Sequence, residues 1–236
     1  MKESSYYNEV QAAPATRSAA AYAPDVRTTV RRMPERARYD RYLVHSILDE
    51  ALVCHVGFVH DGQPVVIPTT FVRAGETLYV HGSPASRMLR TLSGGVDVCV
   101  TVTLLDALVL ARSTVHHSMN YRSVVVMGRA HKVDDAAQKA VALEALVEHI
   151  LPGRSADARA ATEKELRATL VLALPLDAVS AKVRTGGPLD DETDMALPVW
   201  AGEIPLRLVR DAPVPDPTTR ARLTPTPARL GHDPAL

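Results

Sequence analysis

The run His81-Gly82-Ser83-Pro84-Ala85-Ser86-Arg87-Met88 carries the residue types of an anion site. It follows an extended segment, Thr77 to Val80, and its pattern predicts a short helix over Pro84 to Leu92. Backbone N–H groups at a helix start lack partners and carry partial positive charge, and an arginine beside them adds a bidentate fork for phosphate. Without an anion, Arg87 in a first turn opposes the helix dipole. Ser83 reads equally as a ligand or as the helix cap. His81 reads equally as a structural histidine or as a catalytic one.

Two later blocks extend this chemistry: Ser118-Met119-Asn120-Tyr121-Arg122-Ser123, and Ser180 to Pro188. Lys182 and Arg184 alternate with Val183, so both leave one face of a strand. Like charges so placed repel unless an anion lies between them. That anion is either a ligand or the Asp190-Asp191 pair. Val66-Ile67-Pro68-Thr69-Thr70 reads as a strand whose Pro68 belongs at an edge or a bulge, leaving neighbouring backbone groups free. His116 and His117 are adjacent and point to opposite faces of an extended chain, so no metal site is expected there. The Gly-x-Gly-x-x-Gly dinucleotide fingerprint is absent.

These residues need a scaffold, and composition bounds it. The chain has 236 residues, 46% hydrophobic, with 27 Lys and Arg against 27 Asp and Glu, so no global field favours nucleic acid or an anionic membrane. Cys54 and Cys99 lie in apolar runs without Cys-x-x-Cys spacing and read as reduced, buried thiols. The sequence shows neither a secretory h-region nor a run near the ~20 apolar residues of a membrane helix, so a cytoplasmic location is expected. Residues 1–28 read as a disordered tail, 29–210 as one domain, and 211–236 as a Pro-rich tail.

Within the domain, Asp40 to Asp49 predicts a helix, and Asp61-Gly62 a hairpin turn between strands Ala51 to Val59 and Pro64 to Arg73. Further strands are expected over Thr77 to Val80, Val96 to Leu105, Ser123 to Val133, Leu170 to Ala173 and Val179 to Arg184. Leu108 to Ser113 either continues or pairs with its predecessor. Asp134 to Ile150 is a helical stripe, and Thr162 with Glu165 makes a capping box for another helix. Many strands, tight turns and few helices fit a mainly β, α+β class built as a small antiparallel barrel.

In order and spacing, Val30-Arg31-Arg32, Ile67-Pro68-Thr69, the His81 to Met88 run, Ala111-Arg112-Ser113, the Ser118 to Ser123 and Ser180 to Pro188 blocks and Val199-Trp200-Ala201-Gly202 form one pattern. The chain resembles the flavin-nucleotide-binding, pyridoxamine 5′-phosphate oxidase-like family, in the branch of the nitroimidazole-resistance proteins. The resemblance implies a split β-barrel homodimer holding FMN and acting as a flavin-dependent oxidoreductase on a small organic molecule. It implies FMN contacts at Ile67, Pro68, Thr69, His81, Gly82, Ser83, Ser86, Arg87, Tyr121, Arg122, Ser123, Lys182, Arg184 and Trp200, with His81 as catalytic candidate. Met88 stands where the oxidases have Lys, and Ser123 where they have Gln, which argues against pyridoxamine phosphate oxidation itself. The alternatives are a non-catalytic flavin carrier or sensor, or the same fold binding haem, FAD or a deazaflavin.

Overall fold

The computed structural model describes residues 21–218. Of the tails expected at 1–28 and 211–236, residues 1–20 and 219–236 lie outside them.

Strand β1 (Ala37–Arg38) precedes helix α1 (Arg41–Glu50), whose start is fixed by Asp40: its carboxylate accepts from Leu43 N at 2.8 Å. Strands β2 (Val53–His60) and β3 (Gln63–Thr70) form the expected hairpin. Asp61 (φ 50°) and Gly62 (φ 73°) take the paired left-handed conformations of a two-residue loop. The strand predicted over Pro64 to Arg73 divides at fully buried Phe71, and its end becomes β4 (Val72–Ala74) in a second sheet. Strand β5 (Thr77–Gly82) then leads to helix α2 (Arg87–Ser93), which starts later than predicted. Ser83 to Ser86 close a turn first, with Ser86 N donating to Ser83 O at 2.9 Å and Ala85 N to Ser83 Oγ at 3.1 Å. Ser86, not Ser83, is therefore the helix cap.

Strand β6 (Asp97–Leu110) runs through both segments expected there, bent by a bulge at Asp106. Its partner β7 (Ser118–Arg129) starts five residues before the predicted Ser123, so Ser118 and Asn120 are strand residues. Strand β8 (His131–Lys132), helix α3 (Ala136–Ile150) and helix α4 (Glu163–Ala168) follow. The Thr162–Glu165 capping box of α4 is present as predicted. Strands β9 (Leu170–Pro175), β10 (Ala178–Arg184) and β11 (Gly202–Pro205) complete the fold.

The large sheet has the order β1-β10-β7-β6-β2-β3, with β11 added alongside β6, and the small sheet the order β4-β5-β9-β8. The two enclose a core of Val, Leu, Ile and Phe side chains that includes Cys54, Val56, Phe71, Val80, Val100 and Val126. This is the split barrel that the family resemblance implies. Cys54 is buried, and burial pushes its thiol up to about 12; Cys99, on the outward face of β6, is only half-buried.

The domain boundary expected at residue 28 is corrected by Tyr22, which is 3% exposed within the main core. Its hydroxyl donates to Glu76 Oε2 at 2.8 Å and lies 3.0 Å from His45 Nε2, while Tyr22 N donates to Tyr39 O at 2.9 Å. The packed chain thus reaches back at least to Ala21, bridged to Asp40. Among the described residues no helix is long and apolar enough to cross a membrane.

Candidate functional site

Strand β3 ends the large sheet, so its outer edge carries no strand partner among the described residues. Pro64 and Pro68 lie four apart on it, opposite Val59 and His55. A proline in a ladder must turn its nitrogen away from the partner strand. The outward groups are then those of residues 64, 66, 68 and 70: four carbonyls, but N–H donors only at Val66 and Thr70. Ile67 and Thr69 turn their backbone groups to β2 and their side chains to the core face, level with Val56 and Cys54. This edge mixes acceptors with few donors, which suits the polar rim of a flat heteroaromatic ring.

Strand β5 touches β3, and α2 is tied to the same hairpin by Thr91 Oγ1, 2.9 Å from His60 Nδ1. The structure thus gathers the Ile67 to Thr69 strand, the Gly82 to Ser86 turn and Arg87. Helix α2 sits on Met88, Leu89 and Leu92, all buried, and packs so close that a Cβ at Gly82 would meet Leu89 Cδ1 at 3.1 Å. Arg87 is exposed and makes no ion pair among the described residues.

His81 leaves β5 on the face opposite Leu78 and Val80, the face on which Tyr79 packs against Val133, Ala142 and Val171 beneath α3. Its imidazole does not enter the barrel interior. Its Nδ1 is enclosed and has no hydrogen-bond partner, and burial lowers its pKa, keeping the ring neutral near pH 7.

The Tyr121-Arg122-Ser123 trio does not act as a unit, because β7 alternates. Tyr121 and Ser123 face outward with their cross-strand partners Arg184 and Lys182. Arg122 faces the other way, where Nη1 donates to Glu50 Oε2 at 2.5 Å, Nη2 to Glu50 Oε1 at 2.8 Å, and Nε to Asp106 Oδ2 at 3.0 Å. Hydrogen bonds to these two carboxylates raise its pKa and take up its donors. Glu50 and Asp106 carry no local sequence signal; Asp106 is placed by the β6 bulge.

The Asp190-Asp191 pair does not bridge Lys182 and Arg184. Asp190 is buried, accepting from Arg112 N and Arg112 Nη1 at 2.8 Å each, and Asp191 lies 3.4 Å from His116 Nε2. Lys182 Nζ donates to Arg32 O at 2.9 Å. Arg184, 6% exposed, donates to Asn120 Oδ1, to Gly186 O at 2.9 Å and to Gly187 O at 3.0 Å. Asn120 Nδ2 donates onward to Glu203 Oε2 at 2.5 Å. Trp200 is 63% exposed and its ring lies over Gly202, where a Cβ would meet Cζ2 at 3.0 Å.

The candidates therefore form two groups. From β10 to β3 there are four strand steps, about 19 Å at ~4.8 Å each.

Residues 40–183 match the family model described as pyridoxamine 5′-phosphate oxidase. A flavocytochrome from Azotobacter vinelandii is similar at 44% identity and TM-score 0.82, over 89% of this chain and 97% of that one. An FAD and haem binding protein from Mycobacterium smegmatis is similar at 38% identity and TM-score 0.79, over 83% and 96%. A candidate 5-nitroimidazole antibiotic resistance protein from Bacteroides thetaiotaomicron is more distant, at 26% identity and TM-score 0.52, over 62% and 86%. No curated protein matches the chain.

Proposed function

This chain belongs to the pyridoxamine 5′-phosphate oxidase family and is a flavin-binding protein, and from that premise we propose that it carries FAD together with haem and works as a homodimeric oxidoreductase. The observation that carries the cofactor pair is the similarity, over more than four fifths of the chain, to a flavocytochrome and to an FAD and haem binding protein.

The residues present fit a flavin. The open β3 edge offers unpaired backbone groups, and Arg87 offers a free guanidinium for phosphate. A flavin supplies hydride chemistry and a haem single-electron transfer, while the protein holds, orients and shields them. Ser86 and Arg87 would hold phosphate, and Val66 and Thr70 would donate to the ring. A haem iron held by a histidine takes one imidazole nitrogen, so that nitrogen must be free of a partner. His45, His60, His116, His117 and His149 are bonded, whereas His55, His81 and His131 make no side-chain hydrogen bond among the described residues. Of these three His81 is the half-buried one, with an enclosed Nδ1 that lacks a partner, and it would hold the haem iron.

A homodimer is supported by the separation of the two site groups, about 19 Å along the sheet within one chain, which a second copy can bring closer together. The outward sheet face also carries Val59, Val66 and Leu105, all exposed.

The test is the absorbance spectrum of the purified protein with identification of its acid-released flavin. FAD with a Soret band is expected, and loss of that band in His81→Ala against retention in His55→Ala fixes the ligand. FMN without haem would instead favour the second reading, which rests on the Ser86-Arg87 turn and the family's namesake. Colourless protein that binds neither flavin overturns both. Reduction of the bound flavin by NADH or NADPH, absent in a carrier, decides the enzymatic part, and a monomer by light scattering at micromolar concentration overturns the dimer.

A further inference from the structure

The outward face of β10 and the segment leading into α1 gather positive charge that the protein does not neutralise. Lys182 and Arg184 lie two residues apart, so their side chains leave the sheet about 7 Å apart. The bond from Lys182 to the Arg32 carbonyl draws residues 31 and 32 onto the strand, and β1 sets Ala37 directly opposite Lys182. Arg36 stands next to that contact, with its side chain mostly covered. Burial first, and the charge of Arg36 second, disfavour protonated Arg184.

The acids nearby do little to offset this. Glu35 lies 3.8 Å from Arg36 Nε and is well exposed, and Glu203 reaches Arg184 only through Asn120. Arg31 and Arg32 are exposed and make no ion pair among the described residues. The chain as a whole has a formal charge of zero, so this is a local concentration and not a general excess. Across the sheet, Tyr121 flanks Arg184 on the same face.

We propose that Arg31, Arg32, Arg36 and Lys182, underlain by the buried charge of Arg184, form a second anion site, separate from Arg87, that takes the diphosphate of a small molecule. One carboxylate would balance one of these charges, whereas a diphosphate brings several charges and many acceptor oxygens to guanidinium forks and an ammonium group. Two sources share this chemistry: the diphosphate of FAD, where it seats here and not on Ser86 and Arg87, and that of a separate dinucleotide. The charge concentration stands without the flavoprotein reading; only the choice between sources rests on it.

The probe is inorganic pyrophosphate, titrated by calorimetry at low salt into the full-length protein loaded with FMN, loaded with FAD, and free of flavin. Binding is expected, weakening as salt rises. The double variant Arg36→Gln/Lys182→Gln should lose roughly 10- to 150-fold in affinity per contact removed. Arg31→Gln/Arg32→Gln, at exposed positions, repeats the test should the first variant fold poorly. Arg87→Gln should loosen FMN and leave pyrophosphate binding unchanged. Competition by FAD but not by FMN identifies the flavin's own diphosphate as the occupant, and binding to both loaded forms identifies a separate ligand. Wild-type protein that ignores pyrophosphate in all three forms, or charge variants that bind it as wild type does, overturns the site. Because the flavin-free titration needs no cofactor, failure of the flavin reading leaves this result standing.

Discussion

Two arginine-rich regions meet at the start of α1, and they treat charge in opposite ways. Along the helix every cation is matched. Arg41 Nη1 lies 2.5 Å from Glu76, Arg73 holds Asp49 at 2.6 Å, and Arg122 holds Glu50 and Asp106. A few residues upstream, Arg31, Arg32 and Arg36 join Lys182 and Arg184, whose bonded acceptors are carbonyls and an amide. Matched charges fix the N-terminal segment, α1 and β7 to one another. Unmatched ones hold an electrostatic potential in reserve, which is of use only to something that arrives.

The strongest way to break this contrast is to unfasten the matched side. Tyr22→Ala, or deletion of residues 1–28, empties a core position that the ion pairs close over, with Arg41 stacked 4.4 Å from the ring. Removal of a large buried aromatic costs about 3–5 kcal/mol, a fall in Tm on the order of 10 °C. An unchanged melting curve would show that the segment is dispensable. Next comes Arg122→Met, which leaves Glu50 and Asp106 facing each other. Both Arg122 and Asp106 are mostly covered, so a loss of about 2 kcal/mol is expected, roughly 4–8 °C, with flavin affinity nearly unchanged. The opposite outcome, a large loss of flavin with Tm intact, would move Arg122 into the cofactor site.

Acidification probes the same side more gently. Desolvation and the charge of Arg73 lower the pKa of His45, so the folded state disfavours its proton. The stabilisation is complete above about pH 6.5, the ordinary histidine value, and is lost as pH falls through the lowered one. Tm should therefore decline from pH 7 to pH 5, and less steeply in His45→Gln; parallel profiles would remove His45 from the account. The smallest effect is expected on the unmatched side. Arg36→Gln/Lys182→Gln without ligand should change stability by no more than about 0.5 kcal/mol, or raise it, since like charges are separated. A marked destabilisation would mean that these cations serve the fold.

Most of the scaffold is legible in the sequence because its signals are local. Asp61-Gly62 dictates a hairpin loop, Asp40 and Thr162 cap helices by reaching three residues ahead, and the alternating Val98, Val100 and Val102 mark β6. Readings failed where partners lie far along the chain. Nothing local says that Asp190 will be captured by Arg112, or that Asn120 will join Arg184 to Glu203. Tyr22 looks like part of a featureless tail because one buried ring has no periodicity; its pocket is built by residues 45 and 76. The Tyr121-Arg122-Ser123 run misleads for a different reason: a strand sends neighbours to opposite faces, so a contiguous motif becomes two sites.

The prolines of β3 have a consequence for the life of the protein in a crowded solution. An open strand edge invites other strands, and through them fibrils or misassembled pairs. Because Pro64 and Pro68 remove every second outward donor, a foreign strand meets gaps in register and cannot zip along this edge. A small ring, needing only one or two donors, is not hindered. The edge is in effect a filter by size, admitting a cofactor while refusing another chain.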